Sequence, residues 1–137
     1  MELNEITGAV VKSAIKVHAA LGPGLLESAY RACLRHDLTR SGLQVEAEAV
    51  LPIRFDGLEL DIGYRIDLLV ETSVIVELKV IKKFLPVYEA QLLSYLRLSG
   101  CPAGLLINFH VWRLRDGIKR MLNRSLLEKR PTRGPTQ

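Results

Sequence analysis

The stretch from Asp67 to Lys79 most constrains what this chain can fold into. Two apolar runs flank the polar break Glu71-Thr72-Ser73, the pattern of two strands joined by a tight turn. Side chains alternate along a strand, so Glu77 and Lys79 share one face while Val76 and Leu78 take the other. In the first run Tyr64, Ile66, Leu68 and Val70 are expected on one face, with Arg65 and Asp67 on the opposite one. A register that aligns the apolar faces gathers Asp67, Glu77 and Lys79 together. Pairing Val70 with Val74 sets Asp67 directly across from Glu77, and a slip of two residues leaves them diagonal, about 7–8 Å apart. Like charges opposite each other destabilise a sheet, and a divalent cation held by oxygen ligands is the natural compensation.

A chain of 137 residues is expected to form one domain with a substantial core. No apolar run approaches the ~20 residues of a membrane span. The N-terminus carries Glu2 and Glu5 rather than a basic-then-apolar leader, so a cytoplasmic protein is expected. Cys33 and Cys101 lack ligand-like spacing and read as two reduced, buried thiols. The net charge of +4 is unevenly placed: residues 1–123 carry 15 Lys and Arg against 14 Asp and Glu. Overall basicity is therefore weak evidence for a polyanionic partner, and the local pair Lys82-Lys83, just after the acidic face, says slightly more.

Leu3, Ile6, Val10, Ala14, Val17 and Leu21 recur at three- and four-residue spacing and predict a helix over 3–21, with His18 at the border of its apolar stripe. Gly22-Pro23-Gly24 ends it, and a second helix is expected from about Leu25 to Ser41. Periodicity alone makes Glu27 a first-turn glutamate interacting with the helix dipole. Residues 44–55 alternate, with Pro52 indicating an edge or a bulge, and Asp56-Gly57 is a hairpin turn before alternation resumes from Leu58 to Val70. Pro86 starts a helix that stops at Gly100. On it, Gln91 and Tyr95 lie one turn apart; either they edge a packing face or they serve a site. Residues 103–109 are continuously apolar, as in a strand covered on both faces and set parallel to a neighbour by a right-handed crossover. His110–Leu114 would extend that strand, Trp112 would pack, and a short element over 118–122 would close the domain. The basic stretch 123–137, with Pro131 and Pro135, is expected to be disordered.

Gly24-Leu25-Leu26-Glu27-Ser28-Ala29-Tyr30 resembles the motif that names the GxxExxY protein family, assigned to the PD-(D/E)XK nuclease-like superfamily. The resemblance spans roughly residues 3–122 and includes Asp67, Glu77-Leu78-Lys79, Gln91 to Tyr95 and Gly104 to Phe109. It implies an α/β fold with a restriction-endonuclease-like core: two N-terminal helices and a mixed central β-sheet with one crossover helix. By the same resemblance, Asp67 and Glu77 match the acidic pair that holds Mg²⁺ or Mn²⁺, and Glu27 matches the acidic residue completing the metal shell. Lys79 matches the lysine that orients the attacking water, and Gln91 and Tyr95 match a helix motif that supports the site and contacts substrate phosphates. The partner implied is nucleic acid, DNA or RNA; from the lack of a membrane-length apolar run, no membrane partner is expected.

The residue types agree with that chemistry. Phosphodiester hydrolysis needs an activated water and stabilisation of developing charge, both of which a carboxylate-held metal supplies. Mg²⁺ keeps several waters and takes few carboxylates, which suits Glu27, Asp67 and Glu77. Zinc is disfavoured because no His or Cys stands at ligand spacing among them, and His18, His36 and His110 have no evident nucleophile to activate. Two rivals share the same residues: a nucleic-acid-binding module without useful turnover, and a protein-interaction domain whose acidic cluster is structural.

Overall fold

A computed structural model of the chain describes residues 1–128. Helix α1 (Leu3–Leu21) buries Ile6, Val10, Ala14 and Val17, the predicted stripe, and the Glu5 carboxylate accepts the Glu2 N–H at its start. Helix α2 (Glu27–Arg40) begins two residues later than the periodicity suggests. The reason is Tyr30, whose hydroxyl accepts the Leu25 N–H and donates to the Gly22 carbonyl, holding 22–26 in a turn. Gly22 and Gly24 both sit at positive φ (70° and 99°), where side chains with a Cβ are strained.

Strands β1 (Val45–Val50), β4 (Arg65–Val70), β5 (Val74–Lys79), β6 (Ala103–Asn108) and β7 (Ile118–Leu122) form one mixed sheet in that order. Only the β5–β6 pair is parallel, joined through helix α3 (Pro86–Ser99). Helices α1 and α2 cover one face, over Leu68, Val70, Val76, Leu78 and Leu105. Helix α3 covers the other, with Leu92 and Leu96 over Ile75 and Leu106. Coverage on both faces explains why β6 reads as a nearly unbroken apolar run. Helix α3 packs tightly on β6 at Gly104, where a Cβ would come within 2.8 Å of Leu92 Cδ1. Among the described residues no helix is long and apolar enough to cross a membrane.

Several expectations needed correction. The run 44–55 is two strands, broken at Leu51-Pro52, and 58–70 breaks at Asp61–Tyr64. Strands β2 (Ile53–Phe55) and β3 (Leu58–Leu60) pair only with each other, across the Asp56-Gly57 turn. That ribbon leaves the sheet, so Phe55, Leu58 and Ile62 have no layer above them and stay exposed. Ile66 packs under α3 rather than with Leu68, and Tyr64 sits edge-on to Tyr95 of α3. Strand β4 thus turns over at Asp67, a rotation invisible to simple alternation. Cys33 is exposed, whereas Cys101 is buried. Residues 110–113 bend away from β6 into a 3-10 turn (Leu114–Gly117), leaving Trp112 89% exposed rather than packed. Gly117 is what permits that bend, since a Cβ there would collide with the Asn108 carbonyl. Asn123 is buried, its amide donating to the Leu96 and Cys101 carbonyls, and a short helix α4 (Arg124–Glu128) follows. The remainder of the expected disordered tail lies outside the described residues.

Candidate active site

The β4–β5 ladder runs from Val70↔Val74 to Leu68↔Val76, the register that sets Asp67 against Glu77. There the strands part and side chains take over from backbone pairing. The Asp67 N–H donates to Glu77 Oε2 at 2.9 Å, and the Leu78 N–H donates to Asp67 Oδ2 at 2.8 Å. Each carboxylate thus spends one oxygen fixing the other's strand; the second oxygen of Asp67, Oδ1, lies 3.5 Å from Arg31. Reciprocal fixing of this kind locks rotamers and so preorganises the pair.

Burial dominates the electrostatics. Glu77 is 5% exposed, and burial, reinforced by the Asp67 charge, pushes its carboxyl up to about 8. Burial also raises the Asp67 carboxyl, opposed by the Leu78 N–H and by the Arg31 and Lys79 charges. Glu27, at the first position of α2, is raised by burial and by Asp67. The ammonium of Lys79 stands 4.9 Å from the centroid of the Tyr88 ring, a cation–π contact that aims it without neutralising it. Directly beside Lys79, Asn108 ties down the end of β5. Its amide donates to the Ile81 carbonyl and its oxygen accepts from the Ile81 and His110 N–H groups.

Tyr95 is buried on α3, and burial together with the Glu77 charge raises its hydroxyl pKa, so it belongs to the same neighbourhood. Gln91, one turn earlier, is half-buried; among the described residues no hydrogen bond ties its side chain to the carboxylates. His18 is buried and its Nε2 lies 2.7 Å from the Val111 carbonyl oxygen, a packing role.

Two residues outside the motif also face the site. Arg31, one turn beyond Glu27, lies 3.9 Å from Glu27, 3.5 Å from Asp67 and 3.8 Å from Glu48. The i,i+4 spacing from Glu27 is a signal present in the sequence. Glu48 carries none, because its position depends on a φ of 54° within β1. Asp67 and Glu77 offer the hard oxygen donors that Mg²⁺ or Mn²⁺ prefers. Glu27 has not joined them: among the described residues no three acidic, His or Cys side chains stand close enough to hold an ion as they are. The Glu27 side chain is 40% exposed.

A family model described as the PD-(D/E)XK nuclease superfamily matches residues 4–121. Comparison with curated proteins and with solved structures finds no match. The match covers the N-terminal helices, the mixed sheet and the crossover helix save for Leu3 and Leu122 at its two ends, and it includes the acidic pair where β4 and β5 part. With the restriction-endonuclease-like arrangement of these elements, it places the chain in the PD-(D/E)XK nuclease superfamily.

Proposed function

We propose that the protein is a nuclease that uses Mg²⁺ or Mn²⁺ to hydrolyse nucleic-acid phosphodiester bonds, of the GxxExxY type. The observation that carries this is the interlock of Asp67 and Glu77 beside Lys79. A bound divalent ion would supply Lewis-acid stabilisation of the phosphoryl oxygens and lower the pKa of a water. Asp67 and Glu77 would hold it through Oδ1 and Oε1, with Glu27 as the third carboxylate. Lys79, aimed by Tyr88, would orient the attacking water and offset charge on the phosphate. Tyr95 and Gln91 would support the site from α3.

The test is incubation of the protein with single- and double-stranded DNA and RNA in Mg²⁺, Mn²⁺ or EDTA. Cleavage should require the metal and disappear in EDTA. Lys79→Ala should lose on the order of 10²–10³-fold in rate, the scale of one transition-state electrostatic contact. Unchanged turnover in Lys79→Ala would sink the mechanism. Tight binding with no cleavage of any substrate would assign the fold to a binding module instead.

A further inference from the structure

Arg31 is held unlike the other acid-paired arginines among the described residues. Arg54 meets Glu59 at 2.8 Å and Arg65 meets Asp61 at 2.9 Å, both on the exposed ribbon and its exit. The three carboxylate contacts of Arg31, at 3.5–3.9 Å, are longer than the 2.7–2.9 Å typical of a charge-assisted hydrogen bond. Arg54 and Arg65 each give one short hydrogen bond to one carboxylate. Arg31 is instead shared loosely among three, where charge needs balancing.

The sharing is divided by atom. One terminal nitrogen, NH1, faces both Glu27 and Asp67, the proposed metal ligands, while NH2 faces Glu48. Glu48 reaches it from an unusual backbone position. It lies between the pairs Ala47↔Leu68 and Ala49↔Ile66 of the β1–β4 ladder and has left-handed φ, a strained state for a non-glycine residue that tends to persist at functional sites.

We propose that Arg31 is the counter-cation of this site. In the metal-free protein it balances Glu27 and Asp67, it yields them to the divalent ion, and Glu48 then retains it beside the metal as a phosphate-binding group. The proposal rests on the metal-dependent reading above. Release of NH1 frees one side of the fork for a phosphoryl oxygen, while the NH2–Glu48 contact keeps the guanidinium from swinging into solvent.

The test reads metal binding rather than cleavage: thermal melts of the full chain in EDTA and across a Mn²⁺ titration. Arg31→Met should melt lower than wild type in EDTA, because the carboxylates lose their balancing charge. It should reach half its Mn²⁺ stabilisation at about 10-fold less metal, since a positive charge some 4 Å from the ligands no longer competes. Arg31→Lys keeps the charge and should titrate within about twofold of wild type, because the competing effect is coulombic. In Glu48→Gln the guanidinium has only the metal ligands left to pair with, so the midpoint should move to higher Mn²⁺. Equal midpoints in wild type and Arg31→Met would overturn the role of Arg31 and leave the metal site standing. Absence of any Mn²⁺ effect in both would overturn the two readings together. A response in Arg31→Met alone would support the proposal in its strongest form, with the arginine excluding the ion from the wild-type site.

Discussion

Glu77 is the residue whose environment departs furthest from that of a free side chain. Its carboxyl is pushed up to about 8 by burial and by Asp67, against the ordinary 4.5 of a glutamate in the unfolded chain. Between those two values the native state binds more protons than the unfolded state, so stability falls as pH rises. The destabilisation is complete above the folded pKa and relieved as pH drops toward the unfolded one. Melts in EDTA should therefore show a higher midpoint near pH 6 than near pH 8.5, by a few kcal/mol of stability at most. Glu77→Gln should flatten that slope and leave metal-free stability near pH 8 equal or improved, while abolishing stabilisation by Mn²⁺. A slope that survives in Glu77→Gln would assign the titration to another group. The Asp67–Glu77 juxtaposition was legible because alternation across a three-residue break allowed only two registers, one opposed and one diagonal, and the structure adopts the opposed one. Arg31 was half legible, lying one helical turn from Glu27, but only the sheet supplies its other two carboxylates. Glu48 was not legible, since nothing local announces left-handed backbone within a strand.

At the scale of elements, the sequence motif around Glu27 divides into a carboxylate and the device that places it. Tyr30 closes the α1–α2 turn with its hydroxyl and stacks on Phe109 of the segment leaving β6, with ring centroids 4.5 Å apart. The glutamate is thus positioned from the tyrosine and from the far strand of the parallel pair at once. Tyr30→Phe keeps the stacking and removes the hydroxyl, leaving the Leu25 N–H and Gly22 carbonyl without their partner. That should cost about 1–3 kcal/mol in denaturant unfolding. If the turn positions Glu27, Mn²⁺ affinity should also weaken, whereas a purely structural tyrosine would lower stability and leave the metal titration unmoved. Helix ends and the crossover strand were readable from glycine, proline and apolar continuity. The ribbon β2–β3 was misread as part of longer strands, because alternation persists through Leu51-Pro52 and Asp61–Tyr64 although the backbone leaves the sheet. Local pattern reports which face a side chain prefers, but not whether a second layer waits there.

At the scale of the whole molecule, charge is the property that bears on substrate. Residues 1–123 carry one net positive charge, whereas residues 129–137 carry Lys129, Arg130 and Arg133 with no acid. Phosphate neutralisation sets the salt dependence of nucleic-acid binding, with a slope of about −0.9 per phosphate contact on duplex DNA and about −0.7 on single strands. A nearly neutral body with a carboxylate-rich site should contribute only a few such contacts, chiefly through Arg31, Lys79 and the Lys82-Lys83 pair. Most of the sequence-independent attraction is then expected from the three cations beyond Glu128. Removing residues 129–137 should weaken binding at low salt and make the plot of log affinity against log salt shallower by up to about 2–3 units. The rate of cleavage at saturating substrate should stay the same, because no residue of the site is altered. Binding measured by fluorescence anisotropy from 50 to 300 mM salt in EDTA, where cleavage is expected to stop and no phosphate contact is removed, separates the two effects. An unchanged slope after truncation would show that the folded body alone grips the substrate, and attention would pass to Lys82, Lys83 and the exposed Arg113 and Arg115. A slope that collapses to about −0.7 to −0.9, the value of one phosphate contact, would show the reverse, a body that contacts phosphate only at the scissile bond.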